Sequence, residues 1–195
     1  KKDEETAAST TSTTKYMSTT TTASGSITMG DDTLSGVYAS ECLTSASFIA
    51  SFVNANVWPS EVKAYGNVFV VTGSDNISIE LYAFTDTSCS NLSQSQKTVS
   101  DNVTVGSASG SNYPVTYNDA GIRWTVNTTA AETYLEALYS SSNIDMTVGT
   151  EKVIASSTKT FYYNLLTPSA TTIYLASESS EQTPSTAGTL VLTKE

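Results

Sequence analysis

Histidine is absent from this chain of 195 residues, which also has only two cysteines and nine lysines or arginines. Histidine is the commonest general base and the usual pH switch, so its absence removes the most frequent route to acid–base catalysis. A catalytic serine would then depend on a lysine or a carboxylate. The chain has neither a Gly-x-Ser-x-Gly elbow nor a convincing Ser-x-x-Lys pairing. We therefore expect a protein that is not an enzyme, with no cofactor and no metal site.

Basic residues are too few to form a basic surface. The nine lysines and arginines are outnumbered by 19 acidic residues, which gives a formal net charge of −10. Because nucleic acids are bound through clustered basic residues, a nucleic-acid partner is excluded. Long apolar runs are missing too, since no stretch approaches the roughly 18 residues that a membrane-spanning helix needs.

The composition favours strands joined by turns. Serine and threonine make up about a third of the chain; threonine suits a pleated surface and serine suits turns. The clearest signal is a hairpin, in which an apolar run at 61–72 and a turn at 73–76 precede apolar residues at every second position from Ile77 to Ala83. Further strands are predicted at 36–42, 94–105, 112–117, 121–127, 159–166, 171–177 and 189–194, with a turn at 118–121. The prediction is an all-β, single antiparallel up-and-down β-barrel of about eight strands, with a β-sandwich as the alternative.

One stretch is typical of a helix instead. Residues 129–132, Thr-Ala-Ala-Glu, form a capping-box pattern, and leucines follow at helical spacing. We predict a short helix near residues 130–140, packed on the sheet through Ala131, Leu135 and Leu138.

Residues 45–53 are ambiguous. Phe48 and Phe52 are four residues apart, which fits one face of a helix, but the segment also fits the alternation of a strand. Both interpretations stay open at this point.

The composition of the N-terminal part of the chain indicates a flexible tether. Residues 1–24 hold almost no large apolar side chains, so they cannot offset the entropy cost of ordering. We predict a disordered, flexible Thr/Ser-rich stalk at 1–33 and the β-barrel domain at 34–195. The opening Lys-Lys-Asp-Glu-Glu and its Thr/Ser tract resemble the mature end of a bacterial lipoprotein, just after the lipidated cysteine. This resemblance implies export, to the periplasm or cell surface, and membrane contact only through an N-terminal lipid anchor in the outer membrane.

The two cysteines, Cys42 and Cys89, allow two interpretations. In an exported chain an even number of cysteines indicates a disulfide, whereas in the cytosol the same pair would be two buried thiols. A bond between them would close a loop of nearly fifty residues and stabilise the fold by roughly 4 kcal/mol in the chain-entropy model.

Several stretches resemble bacterial lipocalin-like lipoproteins. Residues 34–42, Leu-Ser-Gly-Val-Tyr-Ala-Ser-Glu-Cys, are similar to the opening strand of that family, which runs Gly-x-Trp, a small residue and then Cys. Residues 82–89, Tyr-Ala-Phe-Thr-Asp-Thr-Ser-Cys, are similar to the strand end that supplies the disulfide partner. The segments at 161–163, 173–175 and 184–192 fit the order of the last strands. The resemblance implies a lipocalin-like barrel that binds a small ligand.

The chain departs from the family pattern at three points. Tyr38 stands where tryptophan is usual, and Lys194 is the nearest candidate for the arginine that packs against that tryptophan. The predicted helix at 129–140 precedes the last strands, whereas the lipocalin helix follows the barrel.

Three functions are compatible with these features. The first is a non-enzymatic structural or adhesive scaffold whose Ser/Thr-rich exterior meets a partner protein or glycan. The alternative is lipocalin-like binding of a small apolar or amphipathic ligand. The aromatic residues that would line such a ligand site are Tyr82, Phe84, Trp124 and Tyr163. The least favoured interpretation is a hydrolase based on carboxylates, because two such groups can act without histidine. The candidate carboxylates are Asp31, Asp32, Glu80 and Asp86, with a solvated strand face as the simpler interpretation of Glu80.

Overall fold

The structure is a computed structural model that describes residues 19–154, 161–169 and 171–195, without the side chains of residues 161–165 and 167. Residues 1–18 of the predicted stalk and the side chain of Tyr163 lie outside the described residues. The described strands are β1 (Ile27–Met29), β2 (Asp32–Leu34), β3 (Val37–Ala39), β4 (Ala64–Val71), β5 (Ile77–Phe84), β6 (Leu92–Val105), β7 (Tyr113–Val126), β8 (Glu151–Val153), β9 (Phe161–Pro168), β10 (Thr172–Leu175) and β11 (Leu190–Lys194). The helices are α1 (Ala46–Asn54) and α2 (Thr129–Leu138), with a 3-10 turn at Ser140–Ser142.

Eight strands form an antiparallel up-and-down sheet in the order β3-β4-β5-β6-β7-β9-β10-β11. The predicted all-β fold of about eight up-and-down strands is confirmed. β11 also pairs with β3, through the residue pairs Ala39–Thr193 and Tyr38–Lys194, so hydrogen bonding continues from the last strand to the first. Because this ladder is only two residue pairs long, the curled sheet is less completely joined than a regular barrel. A sandwich of the same strands remains the alternative description.

One face of the sheet encloses the main core. Successive residues of a strand point to opposite faces, and on β5 the side chains of Ile77, Ile79 and Leu81 share one of them. All eight strands contribute side chains to the cluster on this face, so this face is the inner one. The contribution of β6 consists of the partly buried Val103 and Val105. The buried members of the cluster are Ile27, Met29, Leu34, Tyr38, Phe69, Val71, Ile77, Val115, Tyr117, Leu166, Ile173, Leu175 and Leu192.

The folded domain begins earlier than the predicted boundary at residue 34. β1 and β2 form a hairpin that buries Ile27, Met29 and Leu34 in the inner core. Upstream of it, the backbone N–H of Ser24 donates to the carbonyl of Val71 at 2.9 Å. The described part of the predicted stalk, residues 19–33, is therefore packed against the sheet. Ile27 and Met29 of this segment reach the inner core, and Ala23 packs against the cluster on the outer face.

The predicted turn at residues 118–121 is wrong, because β7 continues through it as one strand of 14 residues. Both halves of β7 pair with the same strand, β6, so the chain keeps its direction through these residues. The Asn-Asp-Ala-Gly sequence instead produces a shift in register opposite Val99 and Ser100. Gly121 has a φ of 151°, and its N–H donates to Oδ1 of Asp119 at 2.8 Å.

The predicted helix is confirmed, and its cap lies one residue earlier than the capping-box pattern indicates. The hydroxyl of Thr128 accepts a hydrogen bond from the N–H of Ala131 and donates one to Glu61. Ala131 and Leu135 are buried as predicted. Leu138 is 44% exposed, so its predicted packing on the sheet is wrong. The ambiguous segment at 45–53 is helical and forms α1.

The disulfide between Cys42 and Cys89 is confirmed, with the two Cα atoms 5.8 Å apart. Cys42 follows β3 and Cys89 follows β5, so the bond connects the two segments that flank β4. Both sulfurs pack against the outer face of the sheet, beside Phe84 and Leu92. The alternative of two free thiols does not apply.

Candidate functional site

A cavity of about 990 Å³ lies on the inner face of the sheet, between α1 and the segment that joins β10 to β11. Ligand sites in proteins commonly enclose about 300–1,000 Å³. One wall is apolar and consists of Leu43, Phe48, Phe52, Trp58, Tyr65 and Leu81, and Leu175 and Leu190 line the cavity at the two ends of the β10–β11 segment. The opposite wall is the largely polar stretch of residues 176–189, and Asn67 adds an amide from β4. The cavity therefore has an apolar and a polar side.

Four aromatic rings in mutual contact form the centre of the apolar wall. The ring of Phe52 lies 4.6 Å from that of Trp58, measured between centroids. The ring of Phe48 is stacked on that of Tyr65 at 4.7 Å. The Trp58 and Tyr65 rings, 5.4 Å apart, connect the two pairs. Contacts of this kind hold each ring in place, so the wall is built before any ligand arrives.

Local sequence explains how these rings meet. Phe48 and Phe52 are one helical turn apart on α1 and so project from the same face. After α1 the chain turns back, because the N–H groups of Val57 and Trp58 both donate to the carbonyl of Phe52. Tyr65 lies near the start of β4, where its backbone pairs with Leu43.

Among the cavity-lining residues that the structure describes, Glu178 is the single charged one. Its Oε1 accepts a hydrogen bond of 2.6 Å from the hydroxyl of Tyr117, a buried residue of β7. Much of Glu178 is exposed on its loop, but this bond holds the carboxyl end on the inner side. Burial is the largest influence and raises the pKa of the Glu178 carboxyl above its ordinary value. The bond from Tyr117 opposes that rise, and the charge of Asp119 adds to it.

The structure does not bring the predicted ligand-site residues together. Tyr82 and Phe84 pack on the outer face of the sheet, in the cluster that contains Cys89. Trp124 lies on the inner face, as its register with Leu81 through Gln96 shows, but it packs in a separate cluster against α2. None of these three lines the cavity. Sequence reasoning missed the aromatic wall, and the signal that could have found it was the four-residue spacing of Phe48 and Phe52.

Glu80 lies on the outer face of β5 and is only 1% exposed, so the interpretation of this residue as part of a solvated strand face is wrong. Four hydroxyl groups donate to its carboxylate. Two are its strand neighbours, Ser78 at 3.1 Å and Tyr82 at 2.5 Å. The other two come from the N-terminal segment, Thr19 at 2.6 Å and Thr21 through a shorter contact. Burial and the bond to Glu80 both raise the pKa of the Tyr82 hydroxyl.

The surroundings of Glu80 indicate a structural role. A buried carboxylate is costly unless its oxygens are hydrogen-bonded, and these four donors satisfy them. The N-terminal segment covers the carboxylate, so no substrate has access to it. These contacts hold Thr19 and Thr21 against the outer face of β5, and Ser24 bonds separately to Val71 at the end of β4.

No family model matches the chain, and no curated protein is significantly similar to it. Within residues 19–154, 161–169 and 171–195, no group of three or more acidic or cysteine side chains could hold a metal ion. Among the helices in the described part of the chain, none is long and apolar enough to cross a membrane.

Proposed function

We propose that this domain binds a small amphipathic molecule in the cavity between α1 and the β10–β11 segment. The observation that carries the proposal is the combination of a cavity of about 990 Å³ with a wall of four aromatic rings on one side and a polar loop on the other. The cavity is open to solvent, and Phe48, one of its rings, is 38% exposed, so apolar surface contacts water when no ligand is bound. A ligand with an apolar body would take this apolar surface out of contact with water, which is favourable.

The scaffold interpretation is the less favoured of the two. A scaffold or adhesive protein needs no cavity, and its stability would be greatest with the inner face packed solid. The exposed side chains of Tyr174 and Val191 pair across β10 and β11 on the outer face, but two residues are too small a patch to indicate a partner.

Export is part of the proposal, and the support for it is the disulfide. Such bonds persist in oxidising compartments and are rare where glutathione keeps thiols reduced. A lipocalin-like relationship and a lipid anchor are proposed on the sequence resemblances alone. Cell fractionation combined with mass spectrometry of the mature N-terminus tests both export and lipidation.

Titration with N-phenylnaphthylamine, a neutral dye that fluoresces in apolar surroundings, tests ligand binding. We expect saturable binding at one site per chain, with competition by apolar molecules of similar size. Phe48→Ala removes one ring of the wall and should weaken the affinity roughly fivefold to tenfold. Leu138→Ala is the matched control, since Leu138 is similarly exposed but lies on α2, outside the cavity. Absence of saturable binding, or equal effects of the two variants, would contradict the proposal.

Native mass spectrometry of protein purified from its source addresses the natural ligand. A retained small molecule that is lost on denaturation is the expected result. The same spectrum reports the oligomeric state.

A further inference from the structure

The charge of the residues around the cavity disfavours anionic ligands. Among the described residues that line it, Glu178 carries a charge and there is no lysine or arginine. An anionic ligand, such as a fatty-acid carboxylate or a phosphate ester, would lose water on entry and find no cation among these described residues to replace it. The net charge of −10 also repels anions from the protein as a whole.

The Glu178 carboxylate is positioned to accept a hydrogen bond from a ligand at the polar end of the cavity. The Tyr117 hydroxyl holds Oε1, and within the described part of the chain no hydrogen bond to Oε2 is found. An acceptor oxygen held in position by its neighbour, at the border of an apolar cavity, binds a charged donor most strongly. A protonated amine supplies both the charge and the hydrogen bond.

We propose that the ligand of this cavity is an amphipathic amine, with its apolar body against the rings of Phe48, Phe52, Trp58 and Tyr65 and its ammonium group at the Glu178 carboxylate. This inference rests on the proposed function, since it names the class of molecule that the same cavity binds. Asn67 and several hydroxyl-bearing residues of the 176–189 loop line the same cavity and add polar groups to it.

Three probes that share one ring system test the charge preference: naphthylmethylamine, which is cationic, naphthylmethanol, which is neutral, and naphthylacetate, which is anionic. Calorimetry at neutral pH and low salt measures each affinity. We expect the amine to bind roughly fivefold to tenfold more tightly than the alcohol, and the acetate to bind most weakly. The advantage of the amine should shrink as salt is added.

Glu178→Gln keeps the shape of the side chain and removes its charge. In this variant the amine should lose its advantage over the alcohol, while the affinity for the alcohol stays the same. Glu181→Gln is the matched control, because it removes the same charge from an exposed residue of the same loop that does not line the cavity. Glu178→Lys should reverse the order, so that the acetate binds more tightly than the amine.

The outcomes distinguish the two proposals. If the amine and the alcohol bind equally, or if the amine keeps its advantage in Glu178→Gln, the assignment of an amine is overturned and ligand binding itself stands. If none of the three probes binds, the proposed function fails and the amine assignment fails with it.

Discussion

Lys194 lies over the ring of Tyr38, with its Nζ atom 5.8 Å from the ring centroid. These two residues also form one of the two residue pairs between β3 and β11, the shortest ladder in the up-and-down sheet. The Lys194 ammonium donates to the hydroxyl of Ser35 at 3.2 Å as well. A cation over an aromatic face therefore strengthens the junction where the last strand meets the first.

Lys194→Met keeps most of the side-chain stem and removes the ammonium. We expect the free energy of unfolding to fall by about 0.5–2 kcal/mol, because the contact with Tyr38 and the bond to Ser35 are lost together. Urea denaturation measures the change. Lys152→Met is the control, since Lys152 is exposed on β8. Equal effects of the two substitutions would show that only the loss of charge matters.

Reduction of the disulfide should destabilise the domain strongly. The bond joins residues 47 positions apart, for which the chain-entropy model gives roughly 4 kcal/mol. A loss of that size lowers the melting temperature of a domain this large by about 10 °C. Thermal melts with and without a phosphine reductant check this, and the chain has no other cysteine that the reagent could affect. Superimposable melting curves would mean that the bond contributes nothing to stability.

Replacement of Thr19 and Thr21 by valine should destabilise the domain, although both residues belong to the predicted stalk. The substitutions remove two donors from the buried Glu80 carboxylate, and an under-satisfied buried group costs about 1–3 kcal/mol. The double variant Thr20→Val/Thr22→Val is the control, because these alternate residues are exposed. If both double variants unfold at the same urea concentration, the segment is not anchored through Glu80.

This segment also marks the limit of what the sequence could predict. The hairpin of β4 and β5 was predictable, because apolar residues that alternate on either side of a turn fit few structures other than a β-hairpin. Residues 19–25 carry no such signal. They are held by hydroxyl groups that reach a carboxylate sixty residues away, and hydropathy alone treats those hydroxyls as solvated.

The cavity could not be predicted from the sequence for a related reason. Phe48 and Phe52 gave a helical spacing, but Tyr65 comes from a strand and Glu178 from an irregular segment near the end of the chain. Only the curling of the sheet brings these three elements around one space. Tyr82 and Phe84, which were predicted to line a site, face outward because the alternation of β5 assigns the inner face to Leu81 and Ala83.

The true cap of α2 can be identified by mutation. Thr128→Ala should lower the free energy of unfolding by about 1–2 kcal/mol, since the Thr128 hydroxyl both caps the helix and donates to Glu61. Thr129→Ala, which alters the first residue of the capping-box pattern, should have a much smaller effect because Thr129 is exposed. Urea denaturation of the two variants compares them directly, and the reverse order would place the cap at Thr129.

The affinity for an amine should depend on pH through Glu178. Burial raises the pKa of its carboxyl, so the negative charge is present well above that pKa and is lost as the pH falls through it. Amine binding should therefore weaken on acidification, starting at a higher pH than an ordinary glutamate would give. The neutral naphthylmethanol should bind equally across the same range.

Tyr117→Phe provides the test of this assignment, because the hydrogen bond from the Tyr117 hydroxyl lowers the pKa of Glu178. Without that bond the pKa should rise further, and the loss of amine binding should move to higher pH. Asp119→Asn should act in the opposite direction, since the Asp119 charge raises the same pKa. Calorimetric titrations of the three proteins between about pH 4 and pH 8 measure the shifts. Identical pH profiles for all three would mean that Glu178 does not receive the amine.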